Sequence, residues 1–193
     1  MEIDVKKNKE EFIELLRSTK RDGIEYLIED LEKWNFFEAP ASAAHHLNVA
    51  GGLAQHSLNS CKAALCVWEG MKQLEPSLDK EVKRENVIIA TLLHDLCKTD
   101  LYVRSIRRTK NAIGVWEDTD GYKLTFKNFP FGHGEKSVVL ALLSGVDLTD
   151  EEMLAIRWHM GAWEVNMASY EERRHYDASK KLSPLVTLLQ VGD

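Results

Sequence analysis

The sequence predicts an all-α domain with one small β-hairpin inserted in it. Three observations carry this. Apolar residues recur at helical spacing through both ends of the chain, residues 86–96 are almost wholly apolar, and residues 101–129 switch to β-branched and aromatic types. In chain order, residues 10–19 place Phe12, Leu15 and Leu16 at helical spacing; residues 22–34 do the same with Ile24, Leu27, Ile28 and Leu31, and Asp22-Gly23 sits where an N-cap is wanted. Residues 35–50 read as irregular. A long helix is expected from Gly51-Gly52 to about Met71, ahead of Pro76. Residues 86–96, with Val87, Ile88, Ile89, Leu92 and Leu93, are expected to form a helix buried on most sides, at the centre of the fold. Within 101–129, Asp118-Thr119-Asp120-Gly121 supplies turn chemistry for the hairpin, and most of Trp116, Tyr122, Phe126, Phe129 and Phe131 are expected to be cross-strand partners and core anchors. Helical spacing returns at about 135–143, 149–160 and 178–191; Thr149 with an acidic first turn is a good helix start.

At 193 residues the chain has the size of one domain, and no linker divides it. Residues 1–40 are expected to be a helical extension packed on a core formed by 41–193. A net charge of -6 argues against wrapping duplex nucleic acid, which needs a basic face. No apolar run approaches the roughly 18 residues of a membrane span. Met1 to Lys7 lacks the apolar stretch of a secretory signal, and three cysteines without metal-type spacing suit reduced thiols, so a cytoplasmic protein without membrane partners is expected. The cysteines read as inert in apolar helical surroundings, and the sequence offers no Cys/His catalytic pair, Gly-rich phosphate loop or nucleophile elbow.

His94-Asp95 ends the most apolar helix, where two ionisable side chains are costly unless paired or bound to metal. Four further suitable ligands, His56, His133, His159 and Asp193, each lie beside a helical stretch. Imidazole and carboxylate together suit iron, manganese, zinc or nickel. An Asp flanked by histidines can also bridge two ions, which would hold a hydroxide and clamp a phosphate. Taken singly, each histidine also reads as an ordinary surface or core residue.

The ordered set His56…His94-Asp95…His133…His159…Asp193 resembles the H…HD…H…H…D pattern of the HD-domain metal-dependent phosphohydrolase superfamily. The matching pieces are Gly51-Gly52-Leu53-Ala54-Gln55-His56-Ser57, Leu92-Leu93-His94-Asp95-Leu96-Cys97-Lys98, Gly132-His133-Gly134-Glu135-Lys136, Ile156-Arg157-Trp158-His159-Met160-Gly161 and the segment ending at Asp193. His45-His46…Gly51-Gly52-Leu53…His56 is most similar to the HD domains of bacterial 3′–5′ exoribonucleases and their stand-alone relatives. The resemblance implies an HD-type helical fold. It implies His56, His94, Asp95 and Asp193 as a first metal site, and His133 and His159 as completing a second that shares Asp95. Two divalent transition-metal ions (iron, manganese, nickel or zinc) are then expected as cofactors. Asp95 and Lys98 are the implied catalytic residues, Lys98 facing phosphate or hydroxide; the lysine also reads as a helix C-terminal cation meeting the helix dipole. Cys97 stands where the family has Gly. The related domains continue the helix beyond the last Asp, so a ligand held loosely at a terminus is expected at Asp193.

Arg104, Arg107 and Arg108 follow the metal helix and could guide an anionic phosphoester, or form the solvated face of a strand. Phe131, just before Gly132-His133, is the aromatic expected to line a pocket, and His46 could hydrogen-bond substrate phosphate. The expected activity is hydrolysis of a nucleotide or short single-stranded oligonucleotide phosphoester by a metal-bound hydroxide. The alternative is a catalytically silent HD module that binds nucleotide or a protein partner around a structural metal.

Overall fold

A computed structural model of the chain describes residues 3–126 and 128–193. Helix α1 (Val5–Ser18) begins earlier than the apolar spacing suggests, because the Asp4 side chain accepts the Lys7 N–H and caps it. Helix α2 (Ile24–Lys33) starts after Gly23 and buries Ile24, Leu27, Ile28 and Leu31. Phe12 of α1 meets Phe36 and Phe37 of the single-turn 3-10 helix that follows α2, with ring centroids 5.1 and 5.6 Å apart. The edge-to-face and tilted contacts weld this first layer together.

Helix α3 (Gly52–Leu74) is the longest element. The short α4 (Leu78–Glu81) leads to α5 (Arg84–Leu93), in which Val87 to Leu93 are all buried. Helix α5 packs on α3, α1, α7 and α9, which explains an apolar stretch without an exposed face. It ends at Leu93, and a 3-10 turn over Leu96–Asp100 leads into the hairpin.

Strands β1 (Tyr102–Lys110) and β2 (Trp116–Leu124) pair antiparallel, from Tyr102 opposite Leu124 to Lys110 opposite Trp116. The turn lies at 111–115, not at Asp118–Gly121, which are paired residues of β2. Asn111 makes the turn: its Oδ1 accepts the backbone N–H of both Ile113 and Val115, an Asx arrangement that outcompetes the acidic run. Nor are the aromatics core anchors. Trp116, Phe126, Phe129 and Phe131 are exposed; the hairpin stands on the 3-10 turn, and among the described residues no helix packs closely on its strands.

Helix α6 (His133–Leu143) packs on α7 (Asp150–Arg157), whose Thr149 and Glu152 form a reciprocal cap. Helix α7 stops at Arg157, leaving His159 in the turn beyond it. The final periodic stretch is two helices, α8 (Tyr170–Leu182) and α9 (Pro184–Gly192). Pro184 opens α9 at the position where its missing N–H costs nothing. Helix α9 lies against both α3 and α7. Among the described residues no helix is long and apolar enough to cross a membrane.

Candidate metal centre

Five elements each deliver donors to one place. His56 sits in the second turn of α3, His94 and Asp95 follow the last residue of α5, His133 opens α6, His159 follows α7, and Asp193 ends α9. The register of α9 on α3 depends on Gly192, where a Cβ would lie 2.8 Å from both the Ala64 Cβ and the Ser60 carbonyl oxygen. The same close approach brings Asp193 to His56 and His94. Its side chain is 21% exposed.

The donor atoms gather around the two oxygens of Asp95, and His159 also groups with His94 and Asp193. On one side, His56 Nε2 lies 3.2 Å from His94 Nε2, 3.3 Å from Asp95 Oδ2 and 2.9 Å from Asp193 Oδ1. His94 Nε2 is 3.4 Å from Asp95 Oδ2 and 3.2 Å from Asp193 Oδ1. Bonds of about 2.1 Å from an ion to such ligands give ligand–ligand edges of about 3.0 Å in an octahedron and about 3.4 Å in a tetrahedron. The observed separations lie at that scale. On the other side, Asp95 Oδ1 is 2.9 Å from His133 Nε2 and 3.7 Å from His159 Nε2.

The ring orientations are set from behind. His94 Nδ1 lies 2.7 Å from the Thr91 carbonyl oxygen and His159 Nδ1 2.7 Å from that of Ile156. A carbonyl accepts only, so Nδ1 carries a proton in each and Nε2 faces inward, where it offers a lone pair once the ring is neutral. His159 Nε2 is buried without any hydrogen-bond partner. An unpaired imidazole nitrogen in a buried polar cluster is costly unless a cation faces it.

The electrostatics agree. Burial would push both carboxyl groups up, yet the histidines around them hold Asp95 and Asp193 well below the usual carboxylate range, with Lys98 adding to the effect at Asp95. Burial pulls His94 down, but Asp95 and Asp193 outweigh it and raise it to about 10; burial likewise loses to Asp95 and the Cys97 contact at His133, also raised to about 10. At His159 burial wins, reinforced by the charge of His94, and holds the ring at about 3. Two buried carboxylates thus draw positive charge onto the centre, which protons supply when no ion does. Lys98 Nζ lies 2.6 Å from Asp95 Oδ2; burial disfavours its charge, but Asp95 keeps it raised.

The remaining sequence candidates are spread out. His46 is exposed, its ring 5.4 Å from that of His56. Alternate strand residues face opposite ways, which divides the arginines. Arg104 lines a groove with Asn48, Val49, Ala50 and Tyr122, Arg107 lies across Gly121, and Arg108 reaches Asp118 at 3.8 Å in solvent. No hydrogen bond or ion pair among the described residues joins them to the centre. Phe131 lines a cavity of about 140 Å³ together with Phe126, Phe129, Cys97 and His133.

Two features escaped the sequence reading. Cys97 does not sit among apolar neighbours alone: its Sγ lies 3.2 Å from His133 Nδ1, and the donor atoms of Asp95, Cys97 and His133 lie within 4.8 Å of one another. The only local signal was its place two residues after Asp95. The second is a charged clamp behind His133 and His159. Arg157 Nη2 is 2.5 Å from Glu135 Oε1, its Nη1 is 3.6 Å from Glu164 Oε2, and Glu164 Oε1 accepts the His133 N–H at 3.1 Å.

No protein-family model and no solved structure matches the chain. Among curated proteins, a dihydroneopterin 2′,3′-cyclic phosphate phosphodiesterase of Methanocaldococcus jannaschii is 39% identical over 67 residues. The match covers 35% of this chain and 26% of that protein, so the chain spans about a quarter of its relative's length.

Proposed function

We propose that the protein is a metal-dependent phosphodiesterase of the HD type that acts on a small nucleotide-like phosphodiester. The observation that carries the reading is the convergence of inward Nε2 lone pairs and two carboxylates at coordination-scale separations, with His159 Nε2 buried and unpartnered. His56, His94, Asp95 and Asp193 would hold one divalent transition-metal ion, and Asp95, His133 and His159 a second. When bound, the ions supply Lewis acidity toward phosphoryl oxygens and an acidified water able to attack at neutral pH.

The chain's own groups do the rest. Asp95 turns one oxygen to each donor set and fixes their separation. Lys98, held charged beside Asp95, offsets the negative charge that grows on phosphate during in-line displacement. No side-chain nucleophile is required. The cavity of about 140 Å³ beside His133 is smaller than the roughly 300 Å³ or more of a pocket that encloses a whole ligand. It suits a planar ring stacked among Phe126, Phe129 and Phe131 while the phosphodiester lies at the donors. The cyclic phosphate named for the archaeal relative also joins a flat heterocycle to a phosphodiester, which supports this class. His46, exposed and with its ring 5.4 Å from that of His56, is placed to meet phosphate oxygens.

The test is metal analysis of the purified protein followed by hydrolysis of bis-p-nitrophenyl phosphate and of 2′,3′-cyclic nucleotides with added manganese. Turnover that chelation abolishes, and that Asp95→Asn abolishes together with metal retention, is the expected result. Full turnover in Asp95→Ala would remove the mechanism. Loss of thermal stability on chelation with no turnover on any substrate would instead mark a silent binding module.

A further inference from the structure

We propose that Glu164 is a positioning residue: its carboxylate caps the start of α6 from outside the helix and so fixes the place of His133 beside Asp95. The inference rests on the metal-dependent reading above and deepens it, since it names a group that acts on an ion only through His133.

His133 is the first residue of α6, and the N–H groups of a first helical turn have no acceptor within their own helix. The residue before it, Gly132, has no side chain with which to cap, and a Cβ at that position would lie 2.1 Å from Glu135 Oε2. The acceptor comes from elsewhere. Glu164 Oε1 takes the His133 N–H at 3.1 Å, from 31 residues further along the chain. A carboxylate in this place gains from a charge-assisted bond and from the positive end of the helix. The backbone of His133 is thereby fixed while its ring is held at the other end: Nε2 lies 2.9 Å from Asp95 Oδ1 and Nδ1 3.2 Å from Cys97 Sγ.

Glu164 is itself held. Its backbone N–H donates to the Gly161 carbonyl at 3.3 Å, at the end of the 3-10 turn Gly161–Trp163 that follows His159. Arg157 Nη1 lies 3.6 Å from Glu164 Oε2, and Arg157 Nη2 is 2.5 Å from Glu135 Oε1 in the first turn of α6. One guanidinium therefore spans the capping carboxylate and the helix it caps. Glu164 Oε2 is buried with no hydrogen-bond partner among the described residues, a cost that a carboxylate serving only an ion pair would escape by turning to solvent. The competing account is that Glu164 serves Arg157 alone.

The experiment is manganese(II) titration of the metal-free full chain and three variants, read by loss of the free-ion electron paramagnetic resonance signal. Glu164→Met keeps the length of the side chain and removes the acceptor; Arg157 retains Glu135, so its charge is not left alone. Glu164→Gln keeps an acceptor oxygen and gives up the charge. Glu172→Gln alters the other carboxylate near Arg157, 3.9 Å away, which makes no hydrogen bond to His133 among the described residues. Affinity for one of the two ions should fall about 10- to 100-fold in Glu164→Met, the usual loss when a group supporting a ligand is removed. Glu164→Gln should recover it, and Glu172→Gln should match the wild type. A second readout needs no metal: the His133 amide proton should shift upfield and exchange faster with solvent in Glu164→Met, but not in Glu164→Gln. Wild-type affinity for both ions in Glu164→Met, a Glu164→Gln protein as weak as Glu164→Met, or an unchanged His133 amide overturns the positioning role and leaves the phosphodiesterase reading intact. Failure of the wild-type protein to take up manganese or zinc overturns that reading instead, and the amide comparison then decides the Glu164 contact by itself.

Discussion

Gly134→Ala is the sharpest probe of how the second donor set is built. Gly134 is the second residue of α6, next to His133, and a Cβ there would lie 2.3 Å from the Arg157 carbonyl oxygen and 2.8 Å from the Arg157 carbonyl carbon and Cα. All three are backbone atoms, so no rotamer change can relieve the clash. Restoring contact near 3.4 Å needs a separation of ~1 Å between the start of α6 and the end of α7. Those two ends carry His133 and His159. Coordination tolerates ~0.5 Å of misplacement, and ~1 Å in a catalytic group costs about 100-fold in rate. Alanine's better helix propensity returns about 1 kcal/mol, against about 1–3 kcal/mol for overpacking. A net loss of about 0–2 kcal/mol therefore lowers Tm by at most about 8 °C in a chain of this size. The expected variant folds, keeps the first ion, binds the second poorly and turns over about 100-fold more slowly. Inductively coupled plasma analysis, thermal denaturation and phosphodiester hydrolysis measure the three effects. Gly70→Ala, in α3 with nothing within 4 Å of the new methyl, should instead leave metal content unchanged and add about 0.5–1 kcal/mol. A Gly134→Ala protein with two ions and wild-type turnover would refute the packing argument.

Gly192→Ala should do the converse, since its Cβ would meet Ala64 and Ser60 at 2.8 Å and push Asp193 away from His56 and His94. The first ion should be lost and the second kept, as metal stoichiometry would show; unchanged occupancy counts against the role of Asp193. Arg21→Met should cost about 3–5 kcal/mol in urea denaturation, because Arg21 is the cation facing the wholly buried Glu152, 2.8 Å away. Adding Glu152→Met should recover part of the loss, and a double variant no more stable than the single would disprove the unpaired-charge explanation.

Much of the fold was legible because helix formation leaves a local, periodic trace. Ile24, Leu27, Ile28 and Leu31 announce α2, and the unbroken apolar stretch from Val87 to Leu93 announces a helix enclosed by others. The misread elements are those where one residue's hydrogen-bonding chemistry overrides the average. Asn111 captured the hairpin turn from the Asp118–Gly121 run, Pro184 divided one apparent helix into two, and Asp4 started α1 early. The hairpin aromatics looked like core because residue type reports hydrophobicity, not whether another element lies over the strand.

The order and kind of the helices, the single hairpin, and an ordered set of imidazoles and carboxylates at helix ends can all be read from the residues in line. That these groups meet follows from helix packing alone. His56 and Asp193 touch because Gly192 lets α9 lie close on α3, and His133 faces His159 because Gly134 lets α6 rest on the backbone of Arg157. The same packing turned Cys97 from an inert thiol into a neighbour of His133. The difference is one of range. Periodicity and capping are settled within a few residues, whereas donor separations of about 3 Å depend on the close approach of helices far apart in the chain, and a chain's order does not carry that information locally.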